Sequence, residues 1–353
     1  MRDSIKVGVI GTGTISQFHL DAYRNNPYAE ITAICDVNEA RAQSAAEIYG
    51  AEKVYTDYRE LLADPAIEAV SVCTWNSTHA EISAAAVRAG KAVLVEKPLS
   101  RTMEEALEVQ QAVKETGGLL QVGYVRRYDN NALLVKQFAG AGEFGEFYYA
   151  KASGIRRIGN PGGWFADKSR SGGGPVIDIG VHLVDLCWYL MGRPKVKSVS
   201  ANMYSKLGNR GHIRNLRRYQ AADYGASLNT VEDMANALIR FENGASLALD
   251  VSFTLHAKEN RTSIVLYGDK GGVEIDPELT MITEKHDTIL NVTPQTDHSG
   301  IHIESAFQNE IDHFITCVRT GNETISPVND GVEVMKILTA IYESAEKGME
   351  ITW

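Results

Sequence analysis

The stretch Ile5 to Ser16, Ile-Lys-Val-Gly-Val-Ile-Gly-Thr-Gly-Thr-Ile-Ser, constrains this chain more than any other. Ile5, Val7, Val9 and Ile10 make a short β-branched run, the composition of a strand buried in a parallel sheet. The run stops at Gly11-Thr12-Gly13, and the spacing of Ile15, Phe18, Leu20, Ala22 and Tyr23 predicts a helix directly after it. A strand entering a helix through a glycine turn aims the orphan N–H groups of the first helical turn at one point. Gly13 has no side chain to keep a diphosphate away from them. Ser16 stands where a third glycine is usual and is still small enough for close helix–strand packing. A second predicted strand, Ala29 to Cys35, ends at Asp36, where a carboxylate accepts hydrogen bonds from the adenosine ribose. The combination predicts a bound dinucleotide. Asp36 favours NAD, since a carboxylate repels a 2′-phosphate; Arg41, close in sequence, leaves NADP open.

The chain of 353 residues is long enough for two domains with separate cores. A formal net charge of −10 argues against nucleic acid or an anionic membrane as partner. No apolar run approaches the ~20 residues of a membrane span, and no signal-peptide core is present, so a cytoplasmic location is expected. Cys35, Cys73, Cys187 and Cys317 lie among apolar neighbours without paired spacing, as buried thiols rather than a disulfide framework or a zinc site.

Through the first half, predicted strands and helices alternate. A helix over Asn38 to Tyr49 is followed by a strand at Ala69 to Cys73, a helix to about Ala89, and a strand at Ala92 to Val95. A helix capped by Thr102 and Glu105 then leads to a strand at Leu119 to Val122. This order predicts a doubly wound parallel sheet over residues 1–123, with ligands held outside the strands' carboxyl ends. Gly11, Asp36, Thr74-Trp75-Asn76 and Glu96-Lys97 all fall at such ends. Lys97 thereby sits where the nicotinamide end of the cofactor is expected, and Pro98 restricts its backbone to extended conformations.

Beyond Gly123 longer strands take over: Phe147 to Ser153, Val196 to Met203, Glu232 to Phe241, Ala245 to Phe253, Arg261 to Tyr267 and Val273 to Ile275. Glu242-Asn243-Gly244 is a hairpin signal, so neighbouring strands are expected antiparallel. Residues 124–353 thus read as an open, mostly antiparallel sheet covered on one face by helices. The closing helices, Glu304 to Arg319 and Asp330 to Glu346, are free to pack back on the first domain. A sheet with one bare face predicts a homodimer or homotetramer formed through it.

Gly172 to Gly192 holds the densest chemistry. On an α-helix Asp178, His182 and Asp185 fall at i, i+4 and i+7, one stripe on an otherwise apolar helix. Three readings follow. They are a metal site, whose clear ligands would all come from one helix; a structural network in which Asp185 satisfies His182; and a general acid/base His182 oriented by a carboxylate. The third suits a residue that titrates near neutrality, and no metal is expected. Trp164, in the preceding glycine-rich loop, is a candidate to stack on a sugar ring or to pack in the core.

These residues resemble the glucose–fructose oxidoreductase/inositol dehydrogenase (Gfo/Idh/MocA) family across essentially the whole chain. The resemblance rests on Val-Ile-Gly11-Thr-Gly13, Cys-Thr-x-Asn-x-x-His at 73–79, Glu96-Lys97-Pro98, Val-Gly-Tyr-x-Arg-Arg-Tyr at 122–128, Gly-Gly-Gly-x5-Gly-x-His-x-x-Asp at 172–185 and Arg-Phe-Glu-Asn-Gly-Ala at 240–245. It implies a cofactor site drawn from Gly11, Thr12, Gly13, Thr14, Ile15, Asp36, Val37, Arg41, Thr74, Trp75, Asn76, His79, Glu96 and Lys97. It implies a substrate site of Lys97, Arg127, Tyr128, Asp178 and His182, to which the loop reading adds Trp164. Lys97 polarises the reacting alcohol in that scheme, His182 accepts its proton, and Asp178 binds or orients substrate. The implied reaction is hydride transfer between nicotinamide and a secondary alcohol or ketone of a sugar, inositol or sugar derivative. A glycosidase or epimerase that retains NAD for transient oxidation is one alternative, and a dinucleotide-binding sensor another. Two departures stand out. Trp75 replaces the family's usual proline, and Tyr204 to Thr230 is longer than expected and basic, with Lys206, Arg210, Arg214, Arg217 and Arg218. That segment reads as a solvated loop, a pocket lid or an arm reaching a neighbouring subunit.

Overall fold

The computed structural model describes residues 4–216, 220–221, 229–296, 298 and 300–353. Two compact units emerge: Met1–Tyr128 with Ile303–Met335, and Asp129–His302 with Lys336–Trp353.

The first unit carries six strands: β1 (Ile5–Ile10), β2 (Ala29–Cys35), β3 (Lys53–Tyr55), β4 (Ala69–Val72), β5 (Ala92–Glu96) and β6 (Leu120–Gly123). All pair in parallel, in the order β3-β2-β1-β4-β5-β6. Between them run α1 (Thr14–Asn25), α2 (Glu39–Tyr49), α3 (Tyr58–Ala63), α4 (Asn76–Arg88) and α5 (Met103–Thr116). The sheet is doubly wound as expected, and its strand order reverses between β1 and β4, where open parallel sheets bind ligands. Local chemistry sets the helix ends. Asn38 accepts from the Arg41 amide at the start of α2, and Thr102 from the Glu105 amide at the start of α5. The core is built from Ile5, Val7 and Val9 of β1, Leu20 and Tyr23 of α1, and Ile311, Phe314 and Ile315 of a helix far along the chain.

The second unit contains α6 (Asn130–Gly140), β7 (Phe147–Ile155), α7 (Lys168–Ser171), α8 (Val181–Leu190), β8 (Val196–Tyr204), β9 (Met234–Phe241), β10 (Ser246–Ser252), β11 (Arg261–Gly268), β12 (Gly271–Asp276), β13 (Thr280–Lys285) and β14 (Thr288–Val292). Helix α9 (Ile303–Thr320) belongs to the first unit, α10 (Val328–Lys347) starts there and ends in the second, and β15 (Ile351–Thr352) completes the second sheet. That sheet has nine strands in the order β14-β13-β12-β11-β7-β10-β9-β8-β15. It is mostly antiparallel, with one parallel pair, β7 with β10, that no local sequence signal announces. Helix α8 packs on one face against β7, β10 and β11, burying Leu247, Leu249 and Val251. On the other face Tyr149 stacks on Tyr267 with centroids 5.6 Å apart.

The structure changes one sequence expectation here. Val176–Gly180 is a π-helical turn that runs into α8, so the i, i+4, i+7 count of a regular helix does not apply. Asp185 is 1% exposed, whereas Asp178 and His182 are only partly buried. His182 and Asp185 both lie in regular α8, so the wider turn alters only the angular spacing between Asp178 and the residues that follow it. Arg217 and Arg218 of the basic segment lie outside the described residues.

Candidate functional site

In the first unit the glycine turn has the geometry its sequence demands. Gly11 holds φ +91°, and a Cβ there would stand 2.7 Å from the Cys73 carbonyl oxygen, so glycine is required. A Cβ on Gly13 would meet nothing within 4 Å, so the space above the turn is open to a ligand. Gly13 caps α1 without a side-chain hydrogen bond, leaving the first-turn amides directed outward beside exposed Thr14 and half-buried Ile15. Ser16 is 1% exposed, and its hydroxyl donates to the Gly13 carbonyl at 2.7 Å. The departure from a third glycine thus adds a bond that holds the turn.

Asp36 is the electrostatic centre of this cradle. Its Oδ2 accepts from the Thr12 amide at 2.8 Å and the Thr12 hydroxyl at 2.7 Å. Its Oδ1 accepts from the Asn38 amide at 2.8 Å and from Arg41 Nη2 at 3.2 Å. Burial opposes ionisation of this carboxyl, but the Asn38 and Thr12 amides, the Thr12 hydroxyl and the Arg41 charge outweigh it and hold its pKa below the ordinary value. Next to it Val37 is 84% exposed, and Trp75, at the N-cap of α4, is 40% exposed. An exposed Val37 directly after the ionised carboxylate, together with the open glycine turn, suits the adenine, ribose and diphosphate of NAD, which these residues would hold.

Deeper in the first unit several residues of the expected site are buried and hydrogen-bonded to the backbone around it. His79 is 1% exposed, with Nδ1 2.7 Å from the Pro98 carbonyl oxygen and Nε2 3.1 Å from that of Thr74. Burial pushes its pKa down despite those carbonyls. It ties the segment after β4 to the segment after β5, on which partly buried Lys97 stands, and Asn76 is 6% exposed. Glu96 is 4% exposed, and its Oε2 accepts from the Lys97 amide at 3.1 Å. Arg127 and Tyr128, expected to line the substrate pocket, are buried instead. Arg127, with no exposed surface, donates to Asp330 and, at 2.6 Å, to the Ile325 carbonyl. The Tyr128 hydroxyl is 3.0 Å from Ser326 Oγ. Both side chains fasten residues 124–128 to residues 324–330, a long-range pairing that local motifs do not encode.

The second unit has its own polar group around the π-helical turn. Asp178 Oδ2 is 4.0 Å from Arg156 Nη1. Trp164 is partly buried and stacks on Phe165 at 3.9 Å. Sequence reasoning missed Glu232, which organises the glycines before the turn. Its carboxylate accepts from the Gly174 amide at 3.0 Å, the Val176 amide at 3.2 Å and the Tyr342 hydroxyl at 2.8 Å. Burial, then the Glu232 charge, pushes the Tyr342 hydroxyl well above its usual pKa, so it stays a donor. A predicted strand beginning at an acid was the available signal. The basic segment is anchored nearby, with the Lys206 and Leu207 amides on Asp233 and Arg210 on the Arg157 carbonyl at 3.2 Å. Among the described residues no group of three or more His, Cys, Asp or Glu could hold a metal ion, and no helix is long and apolar enough to cross a membrane.

A 3-2-1-4-5-6 parallel sheet with an open glycine turn and an acid after β2 defines a dinucleotide-binding protein, and a following mixed sheet narrows the class. Residues 5–124 match the family model described as "Oxidoreductase family, NAD-binding Rossmann fold", and residues 136–353 match its "C-terminal alpha/beta domain". D-glucoside 3-dehydrogenase of Escherichia coli is 31% identical, over 98% of this chain and 97% of that protein. The scyllo-inositol 2-dehydrogenase (NAD(+)) of Bacillus subtilis is 30% identical, over 99% and 97%. A solved structure of levoglucosan dehydrogenase in complex with NADH superposes with a TM-score of 0.87 at 26% identity, covering 99% of each chain. The chain belongs to the Gfo/Idh/MocA family of NAD-binding oxidoreductases.

Proposed function

We propose that the protein oxidises a ring secondary alcohol of a cyclic polyol or glycoside with NAD, or reduces the corresponding ketone. The observation that carries this reading is full-length similarity to dehydrogenases named for a glucoside and for scyllo-inositol, combined with retention of Lys97, Asp178 and His182. NAD supplies the hydride acceptor. The Lys97 ammonium favours developing alkoxide character at the reacting oxygen, His182 accepts the hydroxyl proton, and Asp178 orients a neighbouring hydroxyl. Trp164 offers an aromatic face to the apolar side of the ring. NADH formation at 340 nm, screened over inositols, glucosides and levoglucosan and repeated with NADP, tests the reading. Lys97→Met and His182→Ala should each lower kcat by ~10²–10⁴. Near-wild-type turnover in both variants would refute the assignment. Net NADH formation in stoichiometric excess over enzyme distinguishes this reaction from transient oxidation on retained NAD, and any turnover excludes a pure sensor.

A homo-oligomer built through the second sheet belongs to the same reading. The face opposite α8 exposes part of Leu238, Ala248, Val265 and the Tyr149–Tyr267 stack. Apolar surface of this kind is stabilised by a second copy. Light scattering at micromolar concentration should give a mass at least twice 38.7 kDa, and a monomeric mass would refute it. Four buried free cysteines suit a reducing cytoplasm.

A further inference from the structure

Behind β5 lies a line of buried polar side chains that the reaction as described does not use. His19 of α1 and Ser71 of β4 have no exposed surface, nor does Tyr23 of α1, and Glu96 at the end of β5 is 4% exposed. The Tyr23 hydroxyl is 2.7 Å from Ser71 Oγ, Ser71 Oγ is 3.1 Å from His19 Nδ1, and His19 Nε2 is 2.9 Å from Glu96 Oε1. The other carboxylate oxygen, Oε2, accepts from the Lys97 amide. With an ionised Glu96 and a neutral imidazole the donors run in one direction: Nε2–H donates to the carboxylate, Nδ1 accepts from Ser71, and Tyr23 donates to Ser71. Burial pushes the Tyr23 hydroxyl well above its ordinary pKa, which keeps it a donor. A polar chain inside a parallel sheet is costly unless complete, and an apolar quartet would fill the same space. This one ends on the backbone of a single residue, Lys97.

We propose that His19 is a positioning residue: by holding the Glu96 carboxylate from the far side, it fixes the Lys97 backbone and so the point from which the Lys97 ammonium leaves the sheet. The inference rests on the Lys97 role proposed above. An ammonium displaced by about 1 Å loses about 10²-fold in rate while the glycine turn and Asp36, on other strands, bind NAD as before.

The test compares His19→Leu, His19→Gln and Glu96→Gln in the full-length protein. It reads kcat, KM for NAD, NADH affinity by fluorescence, and the rate at which trinitrobenzenesulfonate labels Lys97, followed by mass spectrometry. His19→Leu should lower kcat about 10- to 100-fold with KM for NAD within about 3-fold, and should change the Lys97 labelling rate. His19→Gln, whose amide can still donate to Glu96, should recover most of both, and Glu96→Gln should behave like His19→Leu. A folded His19→Leu or Glu96→Gln protein with unchanged kcat and unchanged labelling overturns the proposal, as does a loss confined to melting temperature. Labelling is measured without substrate. A Lys97→Met protein that keeps its turnover would therefore defeat the catalytic reading of Lys97 while labelling still decides whether His19 positions it.

Discussion

Replacing Asp36 by serine should shift the balance of affinities from NAD towards NADP. A 2′-phosphate carries a charge near −2 and would sit beside a carboxylate already in place. At about 5 Å and an effective dielectric of about 20, the bare repulsion is ~6–7 kcal/mol. Two features of the structure reduce it: Arg41, 3.2 Å from Oδ1, offsets part of the charge, and its side chain is 49% exposed to screening solvent. A net penalty of about 2–4 kcal/mol remains, which is roughly 30- to 1,000-fold in relative affinity. Serine removes the repulsion and releases Arg41 to pair with the phosphate. It also removes the charged acceptor for the ribose hydroxyls, so NADH binding should weaken by ~10- to 100-fold. Titration of intrinsic fluorescence with NADH and NADPH measures both affinities without a substrate. The pH dependence has a definite sign. Because the folded-state pKa of Asp36 is lowered, its stabilising contribution is fully present above the unfolded value and is lost as pH falls through the folded one. With Asp36 ionised throughout this range, NADH-over-NADPH preference in the wild-type protein should rise from about pH 5 to about pH 7, as the 2′-phosphate takes its second charge near pH 6, and be flat above that. A cooperatively folded Asp36→Ser protein with an unchanged affinity ratio would refute the assignment of this carboxylate to the ribose.

Two further outcomes follow from buried groups. Arg127→Met leaves Asp330 charged in a buried setting, so stability should fall by about 3–5 kcal/mol, read as a urea midpoint shift, whereas the double variant Arg127→Met with Asp330→Leu should recover much of it. An Arg127→Met protein of normal stability would show that the pair is not what fastens residues 124–128. Gly173→Ala would drive a methyl group into the Tyr342 hydroxyl and disturb the Glu232 anchor, so it should lower both melting temperature and activity. Tyr342→Phe in the same background should relieve part of the clash, and no relief would contradict the described packing.

Much of this was legible in the sequence because the signals are local. β-branched runs, the glycine turn, Asp36, capping residues and the Glu242-Asn243-Gly244 hairpin fix elements whose observed ends lie within two residues of those expected. What stayed hidden depends on distant partners. The pairing of β7 with β10 joins strands with no local signal for it. Strand β14 is exposed throughout and carries no burial pattern to read. Arg127 and Tyr128 were expected at the pocket because they match positions that line it in the Gfo/Idh/MocA family. Only the return of residues 324–330 reveals that their polar ends are satisfied internally. His19 and Ser71 left a faint trace, a polar residue at a core position of α1 and another inside Ala-Val-Ser-Val, but their meeting with Glu96 spans 77 positions. The π-helical turn escaped because seven residues counted at 100° each assume the very regularity that the turn breaks.

The contribution of Ile311, Phe314 and Ile315 to the core around β1 has a consequence for how the molecule is made. A nascent chain that has emerged only as far as residue 128 has every strand of its nucleotide-binding sheet but lacks the helix that closes one side of it. The half-built unit must wait, greasy and sticky, for some 175 more residues to leave the ribosome. Cutting the gene at the apparent joint should therefore yield an insoluble fragment, whereas co-expressing the remainder, which includes Ile303–Met335, should rescue it.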